Sequence, residues 1–311
     1  ATRLPLKPVR GEHVAYIGNT LLDRARLFGH FETMLHQRFA KEQLVVRNFA
    51  WSADEVDLMP RPDNFGTLDQ HLLHHKTDII FAAFGFNESF AGKQAIPKFK
   101  QRLAAFLSHT KSRAYNGKNG PRIVLISPTP GLNVKGVAAA DLNNEQLAAY
   151  TRAMKEVAAT EKVGFADVFS PGLPADSTFN GVHLVEKGYR AFAGNLYRGV
   201  FGESPAPLNE ALREGVIEKN RQYFRRYRPL NTFYYTGGRK GRYGYLDFLP
   251  AMRNFELMTT NRDRAIWALA AGKTPKMEVD DSTIPKMPET PQSRGGNKWM
   301  NAGEELKSFK I

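Results

Sequence analysis

Five short apolar runs, each followed by a longer amphipathic stretch, constrain this chain more than any other feature of its sequence. The runs are His13 to Gly18, Leu44 to Phe49, Asp78 to Gly85, Arg122 to Ser127 and Gly164 to Phe169. They are continuous rather than alternating, the pattern of strands covered on both faces in a parallel sheet. Between them, Leu21 to Phe39, Ile96 to Leu107, Asn144 to Glu161 and Val185 to Tyr197 carry helical periodicity. Repeated strand-helix-strand units predict an α/β fold, a three-layer α/β/α sandwich on a five-stranded parallel sheet in the order 2-1-3-4-5. Lys111 to Pro121, rich in Asn and Gly, reads as a surface loop closing before the fourth strand.

After Phe201 the rhythm changes. Asn209 to Tyr227 reads as a long basic helix, Thr236 to Tyr245 as a glycine-rich turn, and Pro250 to Ala271 as a helix ending at Gly272. From Thr274 to Lys298 the chain is rich in Pro, Ser, Thr, Met and charge, the composition of a linker or extended strap. The expected organisation is therefore 1–201 as the α/β unit, 202–272 as a basic aromatic helical extension packed on it, and 273–311 as the strap.

Composition removes several classes. There is no cysteine among the 311 residues, so disulfides, thiolate metal sites and cysteine nucleophiles are excluded. No apolar run reaches the eighteen or so residues of a membrane span. The sequence begins Ala1-Thr2-Arg3 without an apolar signal core, which fits a processed mature protein, and export to the periplasm or outside the cell is the expectation. The formal net charge of +13 invites a polyanion reading. Much of the excess lies between Arg213 and Arg242, where Arg221, Arg225, Arg226, Arg228, Arg239, Lys240 and Arg242 interleave with tyrosines and Phe224. With no nucleic-acid motif beside them, these residues read as packing plus a solvated face, and nucleic acid is not the expected partner.

Four polar motifs fall at the C-terminal ends of predicted strands or just beyond: Gly18-Asn19-Thr20-Leu21, Asn48-Phe49-Ala50-Trp51-Ser52-Ala53-Asp54, Gly85-Phe86-Asn87-Glu88 and Asn180-Gly181-Val182-His183. That edge of an open α/β sheet is where ligands bind, so the four outline a site. Elsewhere, His71 and His75 have the spacing of a shared metal but no further ligand, and with His74 they read as a solvated helix face. His30 and His36 also read as surface residues. Gly237 to Gly241 lacks the strand-loop-helix context of a phosphate loop.

The order of the four motifs resembles the SGNH, or GDSL-type, hydrolase superfamily of esterases and lipases over about His13 to Tyr197. Its members carry Gly-Asp-Ser-Leu, Asn-x-Gly-x-Ser-Gly-Asp, Gly-x-Asn-Asp and Asp-x-x-His on the corresponding elements. The resemblance implies a flavodoxin-like fold and acyl-ester hydrolysis, plausibly carbohydrate deacylation, with a small ester or acylated carbohydrate as substrate. It places Thr20 where the family's serine attacks, His183 as general base, and Asn180 as its orienter in place of aspartate. Ala50 N–H and the Asn87 amide become the oxyanion donors, and Asn19, Trp51 and Glu88 the flanking substrate contacts. Trp51 is also read as a ring for sugar stacking, with a buried aromatic as the alternative. No metal or organic cofactor is required by that mechanism. Thr20 can equally be the N-cap of the following helix. Asp176 and Glu186 are the acids nearest to His183 in sequence.

Three of the positions given a chemical role depart from the pattern: nucleophile, oxyanion glycine and acid. The threonine methyl restricts χ1 and crowds an incoming carbonyl. A neutral Asn180 brings no charge to the imidazole. The alternative expectation is a catalytically inactive module that binds glycan or protein in the old pocket. A narrower resemblance, through Ile17 to Thr20, Phe84 to Ser89, Asn220 to Pro229 and Arg264 to Ala268 together, is to the SGNH-type N-terminal part of large exported bacterial proteins in which a β-propeller and a c-type haem module can follow. That resemblance implies such a module as a partner in a longer native protein.

Overall fold

The computed structural model describes residues 1–62, 64–229 and 245–287, the side chains of 245–247 excepted. Its strands are β1 (His13–Gly18), β2 (Val45–Asn48), β3 (Ile79–Ala83) and β4 (Arg122–Ile126), a small hairpin of β5 (Asn133–Val134) and β6 (Val137–Ala138), and β7 (Gly164–Ala166). All but the hairpin form one parallel sheet in the order β2-β1-β3-β4-β7. This is the order expected from the sequence, and the fold is the α/β sandwich.

The helices that cover the sheet are α1 (Thr20–Ala25), α2 (His30–Arg38), α3 (Leu68–His74), α4 (Ile96–Ser112), α5 (Ala139–Glu161) and α6 (Glu186–Phe201). Alternate strand residues face opposite layers. Val14, Tyr16 and Phe81 join Phe31 and Leu35 of α2 and Phe192 and Leu196 of α6. On the other face Ile17, Ile80 and Leu125 meet Leu72 of α3, Leu103 of α4 and Met154 of α5. Helix α3 starts at a reciprocal capping box, with Thr67 accepting from the Gln70 amide and the Gln70 side chain accepting from Thr67 N–H.

The stretch Leu21 to Phe39 is two helices rather than one. Gly29, at φ +67, caps α2 in the left-handed region, and a Cβ there would lie 3.1 Å from a Val216 methyl. The chain bends at the residue that tolerates both demands.

Two further helices, α7 (Glu210–Tyr227) and α8 (Tyr245–Ala270), pack on each other and against β2. α8 begins five residues before Pro250, which lies inside the helix. Strand β2 is a sheet edge, so the carbonyls pointing away from β1 need partners. Trp267 Nε1 donates to Leu44 O at 2.8 Å, and Lys219 Nζ donates to Val46 O at 3.0 Å. Arg47 forms a two-pronged pair with Asp263 at 3.1 and 2.6 Å, and Lys219, 0 % exposed, pairs with Glu32 at 2.5 Å. Burial by itself would push Glu32 up, but Lys219 and His36 bring its pKa down to about 2. Burial likewise disfavours the Arg47 charge, yet Asp263 outweighs it and raises the pKa.

These contacts overturn the surface assignment of His30 and His36, each 2 % exposed beneath the extension. Within the basic aromatic segment, Arg221 pairs with Glu218, Arg226 with Glu256 and Arg228 with Asp23. Arg239, Lys240, Arg242 and the turn from Thr236 to 244 lie outside the described residues. After α8 the chain carries no helix or strand as far as 287, and Asp281 accepts from Asn261 and Arg262 on α8. The remainder of the predicted strap, 288–311, lies outside the described residues. No described helix is long and apolar enough to cross a membrane.

Removing one partner of a buried pair leaves an uncompensated charge, which costs about 3–5 kcal/mol. Asp263→Ala is therefore expected to lower the unfolding free energy by about that amount in urea titration. A loss below about 1 kcal/mol would show that Arg47 does not depend on this partner.

Candidate active site

The first motif leaves β1 through Gly18, at φ +106, where a Cβ would fall 2.0 Å from Ala83 O. Only glycine lets the chain turn this close to β3. Asn19 then caps α1, its side chain accepting from Leu21 N–H at 3.1 Å. The cap is thus Asn19 and not Thr20, which is the first helical residue and half-buried. Its Oγ1 accepts the backbone N–H of Ala53 at 3.1 Å.

That contact identifies a residue the sequence reading missed. Ala50 N–H donates to Asn48 Oδ1 at 3.0 Å, so the first small residue of the second motif directs its amide into its own turn. The donor facing Thr20 is Ala53, which stands at the second glycine position of the pattern. Ala53 has φ +67, the left-handed backbone that glycine adopts without strain. Trp51 stays outside the cleft. Its Nε1 donates to Tyr227 Oη at 3.1 Å, and the guanidiniums of Arg228 and Arg61 lie 4.0 and 4.5 Å from its ring. Asp54, at the motif's end, holds Arg61 through two hydrogen bonds of 2.8 and 2.6 Å.

In the third motif Asn87 Nδ2 lies 3.5 Å from Ala53 O, which brings its amide beside the Ala53–Thr20 contact. Glu88 is buried and does not line the cleft. Its carboxylate accepts from Val56 N–H at 3.0 Å and Gly85 N–H at 2.8 Å, tying the second motif's loop to the third's. Burial pushes Glu88 up to about 7, against the lowering effect of those two amides.

The fourth motif is an Asx turn. Asn180 Oδ1 accepts from Val182 N–H at 3.2 Å and His183 N–H at 2.8 Å, which fixes the side chain. His183 Nδ1 then faces Asn180 Nδ2 at 2.9 Å and Oδ1 at 3.2 Å. Neither Asp176 nor Glu186 bonds the ring: Glu186 pairs with Arg213 instead. The His183 pKa is lowered by burial first and by Arg24 second.

Thr20, His183 and Asn19 line one small open cleft, walled by Leu21, Phe84, Phe86, Pro128 and Leu184. Among the described residues, no group of three or more His, Asp or Glu side chains is arranged to hold a metal ion. His75 is buried with Nε2 3.2 Å from Val14 O, and His71 Nε2 lies 3.1 Å from Phe65 O. Of the three histidines read as a solvated face, only His74 is exposed: Tyr227 of α7 packs on His71, and His13 and Phe49 pack on His75.

Four motifs meeting at one sheet edge agree with the comparison against known families. The sequence model of the GDSL-like lipase/acylhydrolase family matches residues 15–191. The chain belongs to this family. No curated protein matches it. Among solved structures it is similar to an acetylxylan esterase from Geobacillus stearothermophilus, with 19 % identity, a TM-score of 0.48, and coverage of 63 % of this chain and 96 % of that one. It is also similar to the aryl esterase of M. smegmatis, with 15 % identity, a TM-score of 0.47, and coverage of 59 % and 95 %. In this member of the GDSL-like family the candidate site lies at the C-terminal edge of the sheet, and the helices after residue 201 lie beyond the matched segment.

The raised pKa of Glu88 has a definite sign in stability. Unfolded, the carboxyl ionises near 4.5; folded, it holds its proton to about 7. Between those values the folded state binds more protons, so stability falls as pH rises, by roughly 1 kcal/mol per unit. Glu88→Gln is expected to flatten this slope in thermal or urea unfolding between pH 4.5 and 7. An unchanged slope would assign it to another group.

Proposed function

We propose that this chain is an acyl-ester hydrolase in which Thr20 is the nucleophile and His183 the general base. The observation that carries the reading is the 3.1 Å hydrogen bond from Ala53 N–H to Thr20 Oγ1, in a cleft that Thr20 shares with His183. A backbone donor already aimed at the attacking oxygen lies beside the position where the carbonyl oxygen gains charge. Thr20 Oγ1 attacks the acyl carbon and gives its proton to His183 Nε2. The tetrahedral oxyanion is held by Ala53 N–H and Asn87 Nδ2. His183 then returns the proton to the departing alcohol, leaving a threonyl ester. Water, deprotonated by His183, attacks that ester and restores the hydroxyl.

Small acyl esters of carbohydrates are the substrate class we favour. Phe179, 59 % exposed, stacks on the His183 ring at 5.6 Å and 18°, and offers at the rim the flat surface that Trp51 does not.

One observation favours a second reading, a binding module without turnover. Asn180 Oδ1 already accepts two backbone N–H groups, and its Nδ2 is the atom nearer to His183 Nδ1. An amide donating to Nδ1 puts the ring proton on Nε2, which then cannot accept from Thr20. In a serine protease the same loss of the correct tautomer costs about 10⁴ in rate.

Hydrolysis of 4-nitrophenyl acetate separates the readings. The hydrolase predicts turnover that falls to background in Thr20→Ala and in His183→Ala, and a kcat at least about tenfold higher in Asn180→Asp. Because burial and Arg24 lower the His183 pKa, the acid limb of kcat/KM should lie below pH 6.5. Turnover that survives both alanine substitutions, or is absent throughout, would leave the binding module.

A further inference from the structure

The cleft carries a cation that the proposed chemistry does not use. Arg24 lies one helical turn beyond Thr20 on α1 and lines the same cleft as Thr20 and His183. It is the only formally charged side chain among the described residues of that lining. Its neighbours on the helix are committed elsewhere: Asp23 accepts from Arg26 at 3.4 Å, Arg228 at 3.1 Å and Ser52 at 2.6 Å. No carboxylate pairs with Arg24 among the described residues. Its Nε is buried without a hydrogen-bond partner, and its one hydrogen bond to a carbonyl, to Leu184 O, is long at 3.4 Å.

A guanidinium has five donors, and leaving a buried one unmet is costly. Arg47 and Arg61, also largely buried, are each met by a carboxylate in a two-pronged pair. At Arg24 the carboxylate is missing and a cleft stands in its place. The guanidinium also lies 5.5 Å from the ring of Phe179, which stacks on His183. An aromatic face and a guanidinium without a carboxylate thus flank the general base together, a combination suited to a ring bearing an acid group.

Resting on the hydrolase reading, we propose that Arg24 binds a carboxylate of the substrate, so that the preferred substrate is an ester whose alcohol is an acidic ring, such as an acylated uronic acid. Arg24 sets specificity: it takes the carboxylate while Thr20 takes the acyl carbon.

The test uses two aryl acetates, phenyl acetate and 4-acetoxybenzoate, which adds a para carboxylate, with the wild-type chain, Arg24→Gln and Arg24→Lys. The wild type is expected to favour the acid in kcat/KM by at least tenfold, chiefly through KM. That ratio should collapse to about one in Arg24→Gln and partly recover in Arg24→Lys. In parallel, calorimetric titration with 4-hydroxybenzoate, and with 4-hydroxybenzyl alcohol as its neutral counterpart, reads binding without turnover. Binding of the acid, weakened at least tenfold by Arg24→Gln, supports the assignment even if neither ester is hydrolysed, in which case only the hydrolase reading falls. A Thr20-dependent esterase with no preference for the acid, a preference that Arg24→Gln leaves intact, or acid binding that is absent or indifferent to Arg24 overturns it.

Discussion

The open edge at β2 is the constraint on which the rest of this structure depends. A parallel sheet leaves the outward carbonyls of its edge strand without partners, and here they are met by side chains from α7 and α8. Lys219 and Trp267 donate to Val46 O and Leu44 O, while Arg47 reaches out of the strand to Asp263. Lys219 is fully buried, which is tolerable only because Glu32, Asn220 and the strand carbonyl surround its ammonium group. The same arrangement that closes the sheet therefore commits charged groups to the interior, and the extension cannot be shed without exposing all of them together.

From that anchorage follow the contacts that hold the second motif's loop. The end of α7 delivers Tyr227 and Arg228 to the second motif's loop, where Tyr227 accepts from Trp51 and Arg228 covers the indole while pairing with Asp23. Glu88 ties the far side of the same loop to the third motif. Held from both ends, the loop keeps Ala53 at positive φ with its N–H on Thr20, despite the Cβ that disfavours this backbone. The helices beyond the matched segment thus bear on the geometry at Thr20, although none of their residues is among those lining the cleft.

Much of the scaffold was legible because its signals are local. Continuous apolar runs announced buried parallel strands, and the order of the four polar motifs placed His183 at the same sheet edge as Thr20. What was misread depended on distant partners. His30 and His36 are buried beside the extension, Tyr227 of α7 packs on His71, and His13 and Phe49 pack on His75. Trp51 beside a cleft looked available for stacking until two arginines, one of them 177 residues away in sequence, were seen to cover it. The choice between Ala50 and Ala53 as the donor rests on the direction of a single amide, which motif spacing does not encode.

By itself the sequence determined the sheet, its strand order, the edge that carries the site, and the hydroxyl and imidazole that stand there, because hydrophobic period and turn residues act within a few positions. Only the tertiary structure decided that Asn19 caps the helix and leaves the Thr20 hydroxyl uncommitted to that role, that Ala53 is the donor facing it, that the Asn180 amide nitrogen confronts the His183 ring, and that Arg24 reaches the cleft without a carboxylate. Each of these is a question of which polar group satisfies which other across the fold, and such pairing is settled by packing rather than by the order of residues along the chain.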